Sequence, residues 1–214
     1  STAEGDLTLV DNDLSIGLAF ENDAAWPNVK KLNVPGKGVV RVIKGNTFGD
    51  GSAHFVFDSG AVLEFTGNCV TQTVATLKIG PEVMQPGLYG AEAADGVVAC
   101  SAIKGLGLLK VLHSRVLEGE VVVGAGETLV VDSATYAREL TGITVEAGGT
   151  VDIQDGESIV PGLVPISFSD ETGRLVLEEG VEIKFASLTV GGENPCARGG
   201  RFGAGDLPVL SGTG

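Results

Sequence analysis

Apolar side chains alternate with polar ones along most of this chain, in short runs broken by glycine. Val39-Val40-Arg41-Val42, Leu63-Glu64-Phe65, Leu77-Lys78-Ile79, Val151-Asp152-Ile153 and Leu175-Val176-Leu177 each read as a short strand with one buried face. The one passable helical window, Ser133 to Leu140, is about two turns long and too short to organise a domain. The pattern predicts an all-β protein.

One spacing recurs within that alternation: apolar residues at i and i+2, glycine at i+5, apolar residues again at i+8 and i+10. Phe55, Phe57, Gly60, Leu63 and Phe65 fit it, as do Val121, Val123, Gly126, Leu129 and Val131. Ile143, Val145, Gly148, Val151 and Ile153 repeat it, and so do Leu175, Leu177, Gly180, Ile183 and Phe185. Val40, Val42, Gly45 and Phe48 carry most of it. Each unit reads as two strands facing one interior, joined by a bend in which glycine takes a left-handed backbone without a Cβ clash. If the bends are arcs, stacked units of about 22 residues build a short β-solenoid. If they are hairpins, the units build a β-sandwich instead. Short strands, few aromatic residues and the absence of Asn-Gly turns favour the solenoid.

A longer repeat lies above this one. Leu77-Lys78-Ile79-Gly80 is followed by Pro86-Gly87-Leu88-Tyr89-Gly90-Ala91 and then Ile103-Lys104-Gly105-Leu106-Gly107. Leu188-Thr189-Val190-Gly191 is followed by Gly199-Gly200-Arg201-Phe202-Gly203-Ala204 and then Leu210-Ser211-Gly212-Thr213-Gly214. The starts are 111 residues apart, so the chain divides into residues 1–37 (an N-terminal arm and first strands), a half at 38–111 and a related half at 112–214. These segments, together with the strand repeat at Ile143 to Ile153, resemble large repetitive bacterial surface proteins of the autotransporter-associated β-strand, or passenger-type β-helix, kind. In the second copy Pro195-Cys196-Ala197-Arg198 departs from that pattern. The resemblance implies an exported, extracellular or cell-surface protein with a structural or adhesive role, and it brings no catalytic residues.

The first copy runs from Gly107 straight into Leu108-Leu109-Lys110-Val111, whereas the second reaches Gly212-Thr213-Gly214 without that strand. Near the other end, Asp6-Leu7-Thr8-Leu9-Val10 is strand-like. These features suggest head-to-tail self-association, with Leu7, Leu9 and Val10 of one subunit filling the place beside Gly212 and Gly214 of the next. An N-terminal strand that closes its own domain is the alternative. A first residue other than Met suggests a processed chain or a piece of a longer one.

Charge and chemistry narrow the function without naming it. The net charge is −14, which repels phosphate backbones and argues against nucleic-acid binding. No apolar run is long enough for a membrane-spanning helix. The three cysteines, Cys69, Cys100 and Cys196, are far apart and odd in number, so they read as buried thiols or as at most one internal bridge. His54 and His113 are the only histidines and both read as solvent-facing strand residues, so no nucleophile–base arrangement is expected. Asp152, Asp155, Glu157, Glu178, Glu179 and Glu182 could line one face of a glycan-cleaving β-helix, though alternation with Val and Ile equally marks a solvated face. Trp26 could stack on a sugar or anchor the arm. No cofactor is expected. Calcium is the exception, with Asp11 and Asp13, and Asn46 with Asp50, as candidate oxygen ligands. The expected function is an extracellular structural or assembly subunit of a surface layer, filament or adhesin. A carbohydrate-binding module or glycan-active enzyme, with a glycan surface as partner, is the alternative.

Overall fold

The computed structural model describes residues 4–8, 17–20, 28–42, 51–66, 71–159, 163–194 and 209–212, and the chain is a β-solenoid. It forms two compact units, Ser1–Ser114 and Arg115–Gly214. Among the described residues there is no α-helix, only a 3-10 turn at Gly156–Ser158.

Unit 1 contains β1 (Glu4–Thr8), β2 (Gly17–Phe20), β3 (Asn28–Val34), β4 (Val39–Val42), β5 (His54–Phe57), β6 (Val62–Phe65), β7 (Thr71–Val74) and β8 (Thr76–Ile79). After these come β9 (Glu82–Val83), β10 (Gly87–Gly90), β11 (Val97–Ala99), β12 (Ile103–Gly105) and β13 (Leu108–Val111). Its three sheets have the orders β1-β3-β5-β8-β9, β12-β6-β4-β2 and β11-β10-β13-β7. The rungs pair in parallel: Lys31 stands opposite His54 and His54 opposite Thr76, 23 and 22 residues apart. The glycine bends are therefore arcs between sheets rather than hairpins within one. Gly60, Gly126, Gly148 and Gly180 all have φ between +74° and +98°, and Gly45 lies outside the described residues.

Parallel registration stacks like on like. Leu32, Phe55 and Leu77 form one interior column, and Val34, Phe57 and Ile79 the next. The first three and Phe57 are at most 1% exposed, and the rings of Phe55 and Phe57 stack at 5.8 Å. Each such side chain contributes roughly 1.5–3 kcal/mol of burial free energy. Since Val29, Leu32 and Val34 belong to this core, the segment before residue 38 supplies rungs of unit 1.

Unit 2 contains β14 (Arg115–Val123), β15 (Thr128–Val131), β16 (Thr135–Val145), β17 (Thr150–Ile153), β18 (Pro165–Phe168), β19 (Arg174–Leu177), β20 (Ser187–Val190) and β21 (Leu210–Gly212). They form two parallel sheets, β14-β16-β18-β20 and β15-β17-β19-β21, around Ile143, Val145, Val151, Ile153, Ile166, Phe168 and Leu175. The helical window at Ser133–Leu140 is corrected here, because Thr135–Leu140 is the start of β16. Two register shifts between β14 and β16 break strict alternation, so buried Tyr136, Leu140 and Ile143 fall at the three- and four-residue spacing of a helix face.

The 111-residue repeat is structural. Ala75 N donates to Ala53 O at 2.8 Å and Ala186 N to Val164 O at 3.1 Å; Gly80 N donates to Phe57 O at 2.7 Å and Gly191 N to Phe168 O at 2.9 Å. Each unit also holds one lengthened rung, 40 residues from Leu63 to its partner Ile103 and 35 from Leu175 to Leu210.

Candidate functional site

The outward residues of a solenoid form ladders with one side chain from each rung. On unit 1, Arg41, Glu64 and Lys104 stand in register with alternating charge, and Arg41 Nε donates to Glu64 Oε2 at 2.6 Å. On unit 2, Val122, Thr144, Ser167 and Thr189 form an uncharged ladder in which Thr189 Oγ1 donates to Ser167 Oγ at 2.9 Å. Unit 1 carries 12 acidic against 8 basic side chains, net −4, and unit 2 carries 16 against 6, net −10. The uncharged ladder therefore crosses the more acidic unit.

The acids of unit 2 are tied to its bends. Asp132 Oδ1 accepts from Ala134 N at 3.1 Å and from Thr135 Oγ1 at 2.7 Å, and the Arg115 guanidinium also donates to that hydroxyl. One rung on, Asp155 accepts from Glu157 N and from Ser158 Oγ, both at 3.0 Å. Ser158 Oγ also reaches back to Asp132 O. These are two stacked Asp-x-x-Ser/Thr turns, 23 residues apart. Recurrence of that motif at the rung period was the signal that sequence reading missed. Asp170 caps its own bend, and hydrogen bonds from the Thr172 hydroxyl and then its backbone N–H hold the carboxyl below the usual range. Of the acids proposed for glycan chemistry, Asp152 lies on an outer ladder between Val130 and Val176, Asp155 caps a turn, and Glu178, Glu179 and Glu182 are exposed.

Asp11, Asp13, Asn46 and Asp50 lie outside the described residues, as do Trp26, Cys69 and Cys196. Among the described residues, no group of three or more His, Cys, Asp or Glu side chains could hold a metal ion, and no helix is long and apolar enough to cross a membrane. His54 is corrected from solvent-facing to buried, at 8% exposure, with Nδ1 2.9 Å from Thr76 Oγ1 of the next rung. Stacking on the neighbouring rungs covers a side chain that alternation alone points outward. His113 is half-buried, and its N–H bonds Ala75 O at 2.7 Å.

Cys100 is a buried free thiol, and burial pushes it above its ordinary value of 9.0. Desolvation likewise raises Tyr89 above 10.0. A proton held more tightly in the folded than in the unfolded state contributes stability that is complete below the unfolded value and lost as pH rises past it. Urea midpoints are therefore expected to fall from about pH 9 upward, and less steeply in Cys100→Ala. Identical slopes in the two proteins would show that the thiol contributes nothing.

The sheet ends differ in how they finish. In unit 1 the antiparallel β9 closes β8, and β10 with β11 closes β13. In unit 2 the parallel sheets end on β20 and β21 among the described residues. Of the residues expected to mediate assembly, Leu7 pairs in register with Leu32 of its own unit and Gly212 with Leu177. Leu9, Val10 and Gly214 lie outside the described residues. The rung spacing thus places β1 beside β3, where release to a neighbouring subunit would break its own ladder. The chain matches no family model, curated protein or solved structure.

Proposed function

We propose that this chain is a structural module of an extracellular or cell-surface assembly, a β-solenoid that associates with further copies through its sheet edges. The observation that carries the reading is the contrast between ends: β8 and β13 are covered by antiparallel strands, whereas the parallel ladders of unit 2 finish on β20 and β21. Parallel edges present backbone donors and acceptors that template another strand. The bend carboxylates support the same reading, because Asp132, Asp155 and Asp170 are engaged in holding arcs in shape. The net charge of −14 keeps separate subunits soluble. The surface location follows the resemblance of the repeated segments to bacterial surface proteins.

Association is expected to appear in sedimentation velocity as a concentration-dependent series of species, with linear particles in electron micrographs. Raising the salt concentration should strengthen it by screening the like charges. A single monomeric species at every concentration and salt level would overturn the proposal.

A further inference from the structure

We propose that Glu182–Phe185 of unit 2 is the acceptor for one additional parallel β-strand, an extended peptide with apolar side chains at alternate positions and a neutral or acidic residue between them. This rests on the reading of the chain as an edge-associating module and specifies one edge and its occupant.

Unit 1 shows what covers such a segment. With the 111-residue offset, Thr71-Gln72-Thr73-Val74 of β7 corresponds to Glu182-Ile183-Lys184-Phe185, and Ala75 corresponds to Ala186. β13 lies parallel on β7, with Leu108 opposite Thr71 and Val111 opposite Val74, and Leu112 N and His113 N donate to Val74 O and Ala75 O. Under that cover Gln72, Val74 and Ala75 are all 0% exposed.

The same segment in unit 2 keeps a strand's alternation but belongs to none of the strands. Val181, Ile183 and Phe185 are half-buried against the unit 2 core, whereas Glu182, Lys184 and Ala186 are exposed. Ala75 and Ala186 make equivalent backbone bonds to the preceding rung, yet one is sealed and the other open. What the second copy lacks is the layer that β13 supplies in the first.

The chemistry of the occupant follows from β13. Leu109 and Val111 point inward, at 0% and 2% exposure, and Lys110 outward beside Thr73. In unit 2 the position of Thr73 is held by Lys184. A lysine between the two apolar anchors would therefore stand against a like charge, and a glutamate against an opposite one.

The test uses the 214-residue protein and fluorescein-labelled peptides with the sequence of Gly105 to Leu112, followed by anisotropy and hydrogen exchange. Saturable binding is expected, about 2- to 5-fold tighter for the Lys110→Glu peptide, with new amide protection confined to residues 182–186. Replacing both Leu109 and Val111 by Asp in the peptide should abolish it, as should Ile183→Asp in the protein. If Ile183→Asp fails to fold, the peptide substitutions decide alone. Absence of saturable binding, or binding that survives the double Asp replacement, overturns the proposal. If self-association persists while no peptide binds, this acceptor falls and edge association stands; if peptide binds a chain that never associates, the acceptor stands and self-assembly falls.

Discussion

Gly105→Ala is expected to destabilise the protein by about 2–5 kcal/mol, although it adds a single methyl group. Gly105 ends β12 with φ +86°, a conformation that costs an L-residue roughly 1–2 kcal/mol. Its missing Cβ would also lie 2.0 Å from the carbonyl oxygen of Phe65, which is backbone and cannot swing aside. Overpacking of that kind adds about 1–3 kcal/mol. Gly96→Ala supplies the control, since Gly96 has φ +70° but nothing within 4 Å of an added Cβ. That change should cost only the conformational part, about 1–2 kcal/mol. Urea titration of both variants separates the contributions, provided the slope is unchanged. The chain passes from Gly105 through Leu106 and Gly107 into β13, which seals Gln72 and Val74. Hydrogen exchange at β7 should therefore rise in Gly105→Ala more than in Gly96→Ala. Equal midpoints for the two variants would remove the close passage over Phe65 as a determinant of this fold.

The architecture was legible because its determinants are periodic. Alternation marked the strands, glycine five residues after the first apolar position marked the arcs at Gly60, Gly126, Gly148 and Gly180, and the approximately 22-residue unit appears as the 22- and 23-residue register of β3, β5 and β8. The choice of solenoid over sandwich depended on scarce aromatics and turn chemistry, and parallel pairing decides it. Where periodicity fails, so did reading. The register shifts of β14 on β16 disguise a strand as a helical window. Burial of His54 comes from stacking on Thr76 of the next rung, which a single strand does not reveal. Gln72, fully buried in β7, looks like a surface residue by type, and only the cover from β13 explains its place. The antiparallel closure by β9 and β10 is equally silent in sequence, since parallel and antiparallel partners demand the same alternation.

The candidate edge was half legible. The missing counterpart of Leu108–Val111 directed attention to the end of the second copy, but the donor was sought in Leu7, and the register with β3 holds that residue in its own unit. The acceptor was not seen at all. Val181, Ile183 and Phe185 fit the repeat as well as any sealed residues do, and only their half-exposure in the folded unit separates them from Gln72 and Val74. Sequence specifies which face turns inward; whether another layer lies over it is a property of the stack.

Phe168→Ala should cost about 3–5 kcal/mol, the usual range for removing a buried ring. Phe168 is 2% exposed and stands in register with Val145 below and Val190 above, so truncation leaves a hole between two rungs that backbone bonding holds apart. The ring also lies over Gly173, where an added Cβ would come within 2.6 Å of Cδ1. Gly173→Ala alone is therefore expected to cost about 1–3 kcal/mol through overpacking. In the Phe168→Ala background the obstructing ring is gone, and the same methyl group enters the space it vacated. The double variant should consequently be no less stable than Phe168→Ala, giving a favourable coupling of about 1–3 kcal/mol in a double-mutant cycle. Additive losses would mean that the backbone at Gly173, rather than contact with the ring, demands glycine there. Coupling of the expected sign would show that this rung is held by an aromatic ring packed on bare backbone, which fixes the bend after β18 tightly enough for β19 to start in register on β17.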